Sequence, residues 1–398
     1  MGSGFRRVNK MNAFVPAILR SQSMTIFLIA AVMVGPPCAF SQESVPDSEF
    51  YRPPPAFENQ YGEYRDVLRF DNGTDVRSSD QWQRRRVEIK DYWQNAMGTW
   101  PDLLERPQIK YLESKELPEY VQHQVALEIA PGIFSDPDYL LMPLGAGPFP
   151  AVVVTWYNAE DSAGLNAKVV GQLDFGAQLA RRGFVVLCLG GTLNINDVRD
   201  PKLFAEVQPL SLLAYTAANA CHLLASLPEV DGQRIGIMGH SFGGKWAMMA
   251  SCLHDGFACA VWGDPAIVWK ESDPNGNYWE KWYLGYDFEQ DSNSQRRPGT
   301  IDEVNPRTGS YRRLVDEGRN LHELHALMAP RPFLVSGGGS AGQDGPGHWI
   351  ALNHAIRVNR LLGHEHRVAM TQRSGHSPTP EAHEQAFRFL EYHLRKQP

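Results

Sequence analysis

The chain has 398 residues, 43% hydrophobic and 21% charged, with a formal net charge of −7. That is the composition of an ordinary globular protein, and the acidic balance offers no footing for nucleic acid or an anionic membrane surface. The length allows one large domain or two small ones.

The first forty residues stand apart. Arg6, Arg7, Lys10 and Arg20 precede the apolar run MTIFLIAAVMV at 24–34, and small residues follow at Ala39 and Ser41. The run is short of the about 20 residues a membrane-spanning helix needs. Residues 1–41 therefore read as a signal peptide, which implies a periplasmic or secreted protein with no stable membrane partner; a retained anchor is the competing reading. The prolines before Cys38 argue against a lipoprotein cut. Beyond the signal, Cys188, Cys221, Cys252 and Cys259 have no zinc-site spacing and read as buried thiols, with a Cys252–Cys259 bridge as the alternative.

Residues 42–120 read as an N-terminal extension, proline-rich as far as about 78 and packed on the body. Within it, 80–97 is a helix with Trp82, Arg86, Ile89, Trp93 and Met97 on one face and Asp80 as its cap. The basic run Arg84, Arg85 and Arg86 reads as a solvated face. From 121 onward strand and helix patterns alternate. VQHQVALEI and DYLLMPL form a strand pair, and FPAVVVTW is a run suited to a strand buried on both faces. FVVLCLGG, DGQRIGIMG, FACAVWGD, RPFLVSGGG and RVAMTQR are further strands. Helices are expected before FVVLCLGG, over PLSLLAYTAANACHLLASL, after Gly239, over WIALNHAIRVNRLLG and over PEAHEQAFRFLEYHL. This alternation predicts an α/β fold over 121–398: a mostly parallel sheet with helices on both faces. Residues 265–330 interrupt the rhythm and read as a lid or wall at one end of the sheet.

Gly239-His240-Ser241-Phe242-Gly243 sits where a strand becomes a helix. A G-x-S-x-G at that junction raises a serine hydroxyl on a strained turn, with glycines clearing space for neighbouring elements. Such a hydroxyl needs a base, and the base an orienting acid, in the chain order Ser, acid, His. His376 follows the last strand and is the candidate base. His383 and His393 lie within the final helix and read as surface residues. Asp344, after RPFLVSGGG, is the preferred acid by position, and Asp264, after FACAVWGD, is the alternative. The Phe242 amide and the amide of Trp156 or Tyr157 are the candidate oxyanion donors. Lys245 could reach a sugar hydroxyl or a substrate carboxylate, or face solvent, and Trp262, Trp269 and Trp279 could form an aromatic wall with Trp282 and Tyr283, or a hydrophobic core for the lid.

With GHSFGGKWA, APRPFLVSGG and GHSPT, the chain resembles the α/β-hydrolase superfamily from about 121 to its end. Within it the chain is similar to secreted bacterial carbohydrate esterases of the acetyl xylan esterase-like and dienelactone hydrolase-like branch. Glucuronoyl esterases stand nearby: their G-C-S-R-x-G-K elbow matches at Gly239, Ser241, Gly244 and Lys245. His240 replaces the cysteine and Phe242 replaces an arginine that helps hold the oxyanion in that family. The resemblance implies a serine esterase acting on a polysaccharide or small ester, without metal or cofactor. A peptidase of the same fold and a non-catalytic carbohydrate-binding scaffold remain the alternatives.

Overall fold

A computed structural model describes residues 47–395 apart from 136, 167, 169, 192–205, 289–295 and 339–343. The signal segment 1–41 lies outside the described residues. The strands are β1 (Ile109–Glu116), β2 (Tyr120–Ala130), β3 (Ile133–Phe134), β4 (Asp138–Pro143), β5 (Phe149–Trp156), β6 (Val185–Gly190), β7 (Val230–His240), β8 (Cys259–Gly263), β9 (Phe333–Gly337) and β10 (Val368–Gln372). They form one sheet in the order β1-β2-β4-β6-β5-β7-β8-β9-β10, with β3 paired to β2. The strands from β6 to β10 in that order run parallel, while β1, β2 and β4 form an antiparallel wing. β5, β8 and β9 are buried nearly throughout, as strands covered on both faces must be. The exposed β1, IKYLESKE, carries too little apolar pattern to stand out from the extension in which it lies.

The described helices are α1 (Ser79–Met97), α2 (Ala159–Ser162), α3 (Phe175–Arg181), α4 (Pro209–Ser226), α5 (Phe242–Leu253), α6 (Gly309–Asp316), α7 (His322–Leu327), α8 (Trp349–Leu361) and α9 (Pro380–Leu394). One core joins α1, α4, α5, α7 and α8 to one face of the sheet, with Trp82, Trp93 and Trp246 fully enclosed. The other joins α3 and α9 to the opposite face. Ser78, not Asp80, caps α1: its hydroxyl accepts from the Gln81 amide. Of the basic run only Arg84 is exposed. Arg85 is buried and pairs with Asp71 and Glu88, and Arg86 reaches Asp255 and the Leu327 carbonyl. All four described cysteines are buried and unbridged, so there is no Cys252–Cys259 disulfide. No described helix is long and apolar enough to cross a membrane.

The stretch from 47 to 78 is strapped to the body through its backbone carbonyls. Asn353 Nδ2 donates to both the Phe57 and Gln60 carbonyls at 2.8 Å. The Nε2–H of His354 donates to Tyr61 O at 3.0 Å, and that of His322 to Arg65 O at 2.8 Å. A proline-rich segment with little regular structure leaves its carbonyls unpaired, and these side chains supply the missing donors. Asn353→Ala removes two such bonds and is expected to lower stability by about 1–3 kcal/mol in chemical denaturation, with faster proteolysis within 47–66.

Candidate active site

The parallel strands end together at Trp156, Gly190, His240, Gly263, Gly337 and Gln372, the carboxyl edge where ligands bind in open parallel sheets. Ser241 stands there between β7 and α5. Its backbone is at φ 55° and ψ −115°, a conformation that costs roughly 1–3 kcal/mol in a non-glycine residue. The turn is fixed by the Ser241 N–H, which donates to the Gly263 carbonyl at 2.7 Å. Gly239 and Gly243 are required by crowding: a Cβ on the first would strike the Gly243 carbonyl, and one on the second the Thr155 carbonyl. The flanking glycines thus let helix, turn and β5 pack together while the serine is lifted out of the strand.

Ser241 Oγ lies 2.8 Å from His376 Nε2, and His376 Nδ1 lies 2.5 Å from Asp264 Oδ2. The first acidic candidate, Asp344, is not the residue that meets the imidazole. It is fully buried, and its carboxylate accepts the Ala266 amide at 3.0 Å and the Ile267 amide at 2.6 Å. Those two bonds hold the turn that begins at Asp264, where Asp264 and Ala266 both have positive φ, 48° and 60°. The other Asp264 oxygen, Oδ1, accepts the amides of Gly338 and Asp344 at 2.9 and 3.2 Å. So the side chain after β8 faces the histidine, while the one after β9 braces it from behind.

The remaining candidates divide. Phe242 is the first residue of α5, so its N–H has no intrahelical acceptor. Trp156 is still in the sheet ladder opposite Gly190, whereas Tyr157 follows the strand end. The Tyr157 ring is 49% exposed and lies 5.0 Å from that of Phe242, which in turn lies 6.1 Å from Tyr283. Tyr283 is buried against Phe242 and Trp282 is exposed beside it, so the partly exposed aromatic surface next to the serine is that of Phe242 and Tyr157.

The three other tryptophans do not form a ligand wall. Trp262 is fully buried, stacked 4.3 Å from Phe333, with its Nε1 donating to Ser251. Trp269 packs between Trp93 and Tyr311 and donates to the Arg319 carbonyl. Trp279 is fully buried under the Arg307 guanidinium. A tryptophan within a continuous apolar strand run, as in FACAVWGD, carries the signal of a core residue.

Lys245 is also internal. Its Nζ donates to the Pro265 and Asn275 carbonyls, both at 2.7 Å, above the Tyr278 ring. Burial lowers its pKa to about 8, against the pull of the Asp344, Asp264 and Asp273 carboxylates. The lysine ties α5 to the 265–275 turn in place of a substrate group. Among the other histidines, His383 is buried rather than superficial, its Nε2–H donating to the Gln172 carbonyl; His393 lies 2.9 Å from the Tyr51 hydroxyl. His240 is buried between Trp156 and His376, and burial holds its pKa well below the usual imidazole range.

Arg373 was not among the sequence candidates. It follows β10 with its guanidinium against the His376 and Ser336 carbonyls, and nothing in TQR distinguishes it from a surface arginine after a strand.

The chain has the α/β-hydrolase fold. A sequence model of the prolyl oligopeptidase family matches residues 217–310, which hold the elbow. No curated protein matches the sequence. Among solved structures, the chain is similar to a glucuronoyl esterase from Solibacter usitatus, with a TM-score of 0.65 at 16% identity, over 83% of this chain and 98% of that one. It is similar to a carbohydrate esterase family 15 glucuronoyl esterase from Caldicellulosiruptor kristjansonii, with a TM-score of 0.60 at 19% identity, over 86% and 93%. A promiscuous esterase of the same carbohydrate esterase family, from a marine bacterial metagenome, gives 0.61 at 17% identity over 83% and 97%. At these identities the likeness establishes the α/β-hydrolase architecture of the chain.

The two aspartates make opposite predictions. Asp264→Asn should lower kcat by about 10³–10⁴ with the fold intact, because the imidazole loses the partner that sets its tautomer. Asp344→Asn, which sets an NH2 against one of the two buried amides and so loosens the turn, should lower kcat much less than Asp264→Asn, and the reverse ranking in steady-state assays would return the acid to Asp344. Burial first, then the neighbouring Asp264, pushes the Asp344 pKa up from the usual carboxylate range to about 7. The folded state then binds more protons than the unfolded chain between about pH 4 and 7, and this group's contribution to stability falls as pH rises through that window. The parent-minus-variant difference in Tm for Asp344→Asn should therefore fall from about pH 4 to pH 7.

Proposed function

We propose that the protein is an exported serine esterase that hydrolyses carboxylic esters borne by carbohydrate. One observation carries the reading: the hydrogen-bonded line from Ser241 Oγ through both His376 nitrogens to Asp264 Oδ2, at 2.8 and 2.5 Å. In it, His376 Nε2 takes the proton as Ser241 Oγ attacks the ester carbonyl, and Asp264 holds the imidazole in the tautomer with hydrogen on Nδ1. The same nitrogen then returns the proton to the departing alcohol. Water, activated in turn by His376, releases the acid and frees the serine. The tetrahedral oxyanion is held by the Phe242 N–H, at the positive end of α5, and by the Tyr157 N–H beyond β5. Each such donor is worth about 10²–10³ in turnover.

The carbohydrate part of the reading rests on the rings of Tyr157 and Phe242 beside the serine, whose flat apolar faces suit sugar rings or aryl groups. It is supported by the structural likeness to proteins described as glucuronoyl esterases. A second reading, a peptidase of the same fold, is favoured by the prolyl oligopeptidase family match. Export rests on the signal-like segment at 1–41.

Ser241→Ala should reduce hydrolysis of p-nitrophenyl acetate by about 10⁴-fold or more and abolish labelling by a fluorophosphonate probe. Retained activity would remove the reading. Acetylated xylan, a methyl glucuronate ester, short aryl esters and an aminoacyl-nitroanilide assayed together separate the esterase from the peptidase; cleavage of the anilide alone selects the latter.

A further inference from the structure

The three groups of the proposed line come from strand ends that are not all neighbours. Ser241 follows β7, Asp264 follows β8 and His376 follows β10, with β9 between the last two. Adjacent strands are about 4.8 Å apart, so the ends of β8 and β10 are separated by roughly 10 Å. An aspartate side chain cannot bridge that gap to an imidazole unless the loop after β10 leans back across the end of β9. Something must hold the loop there.

Arg373 lies where such a hold is needed. It is the first residue after β10, three before His376, and its side chain is 5% exposed. Nη1 donates to the Ser336 carbonyl at 2.7 Å and the Ser336 hydroxyl at 3.0 Å, both at the end of β9. Nη2 donates to the His376 carbonyl at 2.7 Å, and Nε to the Ser377 carbonyl at 3.0 Å. One fork thus grips the end of β9 and the backbone of the base. The Ser336 carbonyl also accepts the Asp264 N–H at 3.0 Å, so the acid and the fork share an anchor. The guanidinium stands 3.9 Å from Asp264 Oδ2, which adds a charge to the grip.

We infer that Arg373 is a positioning residue: its guanidinium folds the loop after β10 over the end of β9 and so places His376 between Ser241 and the acid of β8. The inference rests on the esterase reading above. Lysine is no substitute, since a single ammonium on a flexible stem cannot hold acceptors in the fork's three directions at once.

The test compares the parent, Arg373→Ala and Arg373→Lys, each first shown folded by circular dichroism. Readouts are kcat and KM on p-nitrophenyl acetate and the rate of fluorophosphonate labelling at Ser241. Arg373→Ala should lose about 10² in kcat and in labelling rate, the cost of an ångström-scale misplacement, with KM changed less than about threefold. Arg373→Lys should recover less than a tenth of the parent rate, while added guanidinium ion should restore part of the labelling in Arg373→Ala. The inference is overturned if folded Arg373→Ala stays within about twofold of the parent, if the loss falls on KM alone, or if lysine restores the rate in full. Unfolding of both variants also overturns it, by making the role structural. A parent that fails to label at Ser241 takes the esterase reading down too, whereas equal labelling of parent and Arg373→Ala removes this inference alone.

Discussion

The site depends on one fully buried carboxylate whose two oxygens have separate partners. Asp264 Oδ2 meets His376, while Oδ1 is fixed by the amides of Gly338 and Asp344. A carboxylate with free rotation could present either oxygen and either lone pair. Two amides on Oδ1 remove that freedom, and the φ of 48° at Asp264 turns the side chain from the sheet toward the histidine. The loops after β8, β9 and β10 are thereby made interdependent, because each supplies a group that this one side chain touches.

Burying that carboxylate would cost several kcal/mol if it stood alone. It does not. Asp344 lies behind it, and the two acids are faced by Arg373 and Lys245, whose own ionisation is opposed by burial and supported by these same carboxylates. The cations have other work as well: Lys245 binds the carbonyls of the turn after Asp264, and Arg373 those of the loop bearing His376. The same two cations thus fix the loops through hydrogen bonds to carbonyls and offset the carboxylates through charge. The strain at Ser241, Asp264 and Ala266 is held in place by this network and by the elbow's contact with Gly263, rather than by local propensity.

The elements that alternation and burial define were legible from sequence: FPAVVVTW is β5 residue for residue, and the helix begun by Pro209 ends one residue before its expected limit. Ser241 and His376 were legible because each stands in a short motif at an element boundary. The choice between Asp264 and Asp344 was not, since both are single aspartates after buried strands. What separates them is a backbone turn held by hydrogen bonds from residues nearly eighty positions away. Lys245 and Trp262 were ambiguous for a simpler reason. A lysine or a tryptophan fits a ligand site as well as an interior, and only the burial of the whole element around each decides between the two.

The residue after the serine bears on what the site can bind. Where the glucuronoyl elbow places an arginine, this chain has Phe242, whose ring packs beside Tyr157 and Tyr283 and fills the space that a side chain at Gly191 would occupy. A guanidinium there would add a mobile charge near the oxyanion; a phenyl ring adds none. In the proposed mechanism the charge of the tetrahedral intermediate would fall on backbone donors and the α5 dipole, which cost no reorganisation because the elbow already fixes them. The ring gives the space beside the serine an apolar face, and Lys245 is turned inward, so on the proposed reading a substrate would meet shape and aromatic surface more than ionic contact. Under the proposed esterase reading, such a surface would favour esters whose rings fit against Tyr157 and Phe242 and an acyl group that carries no charge of its own.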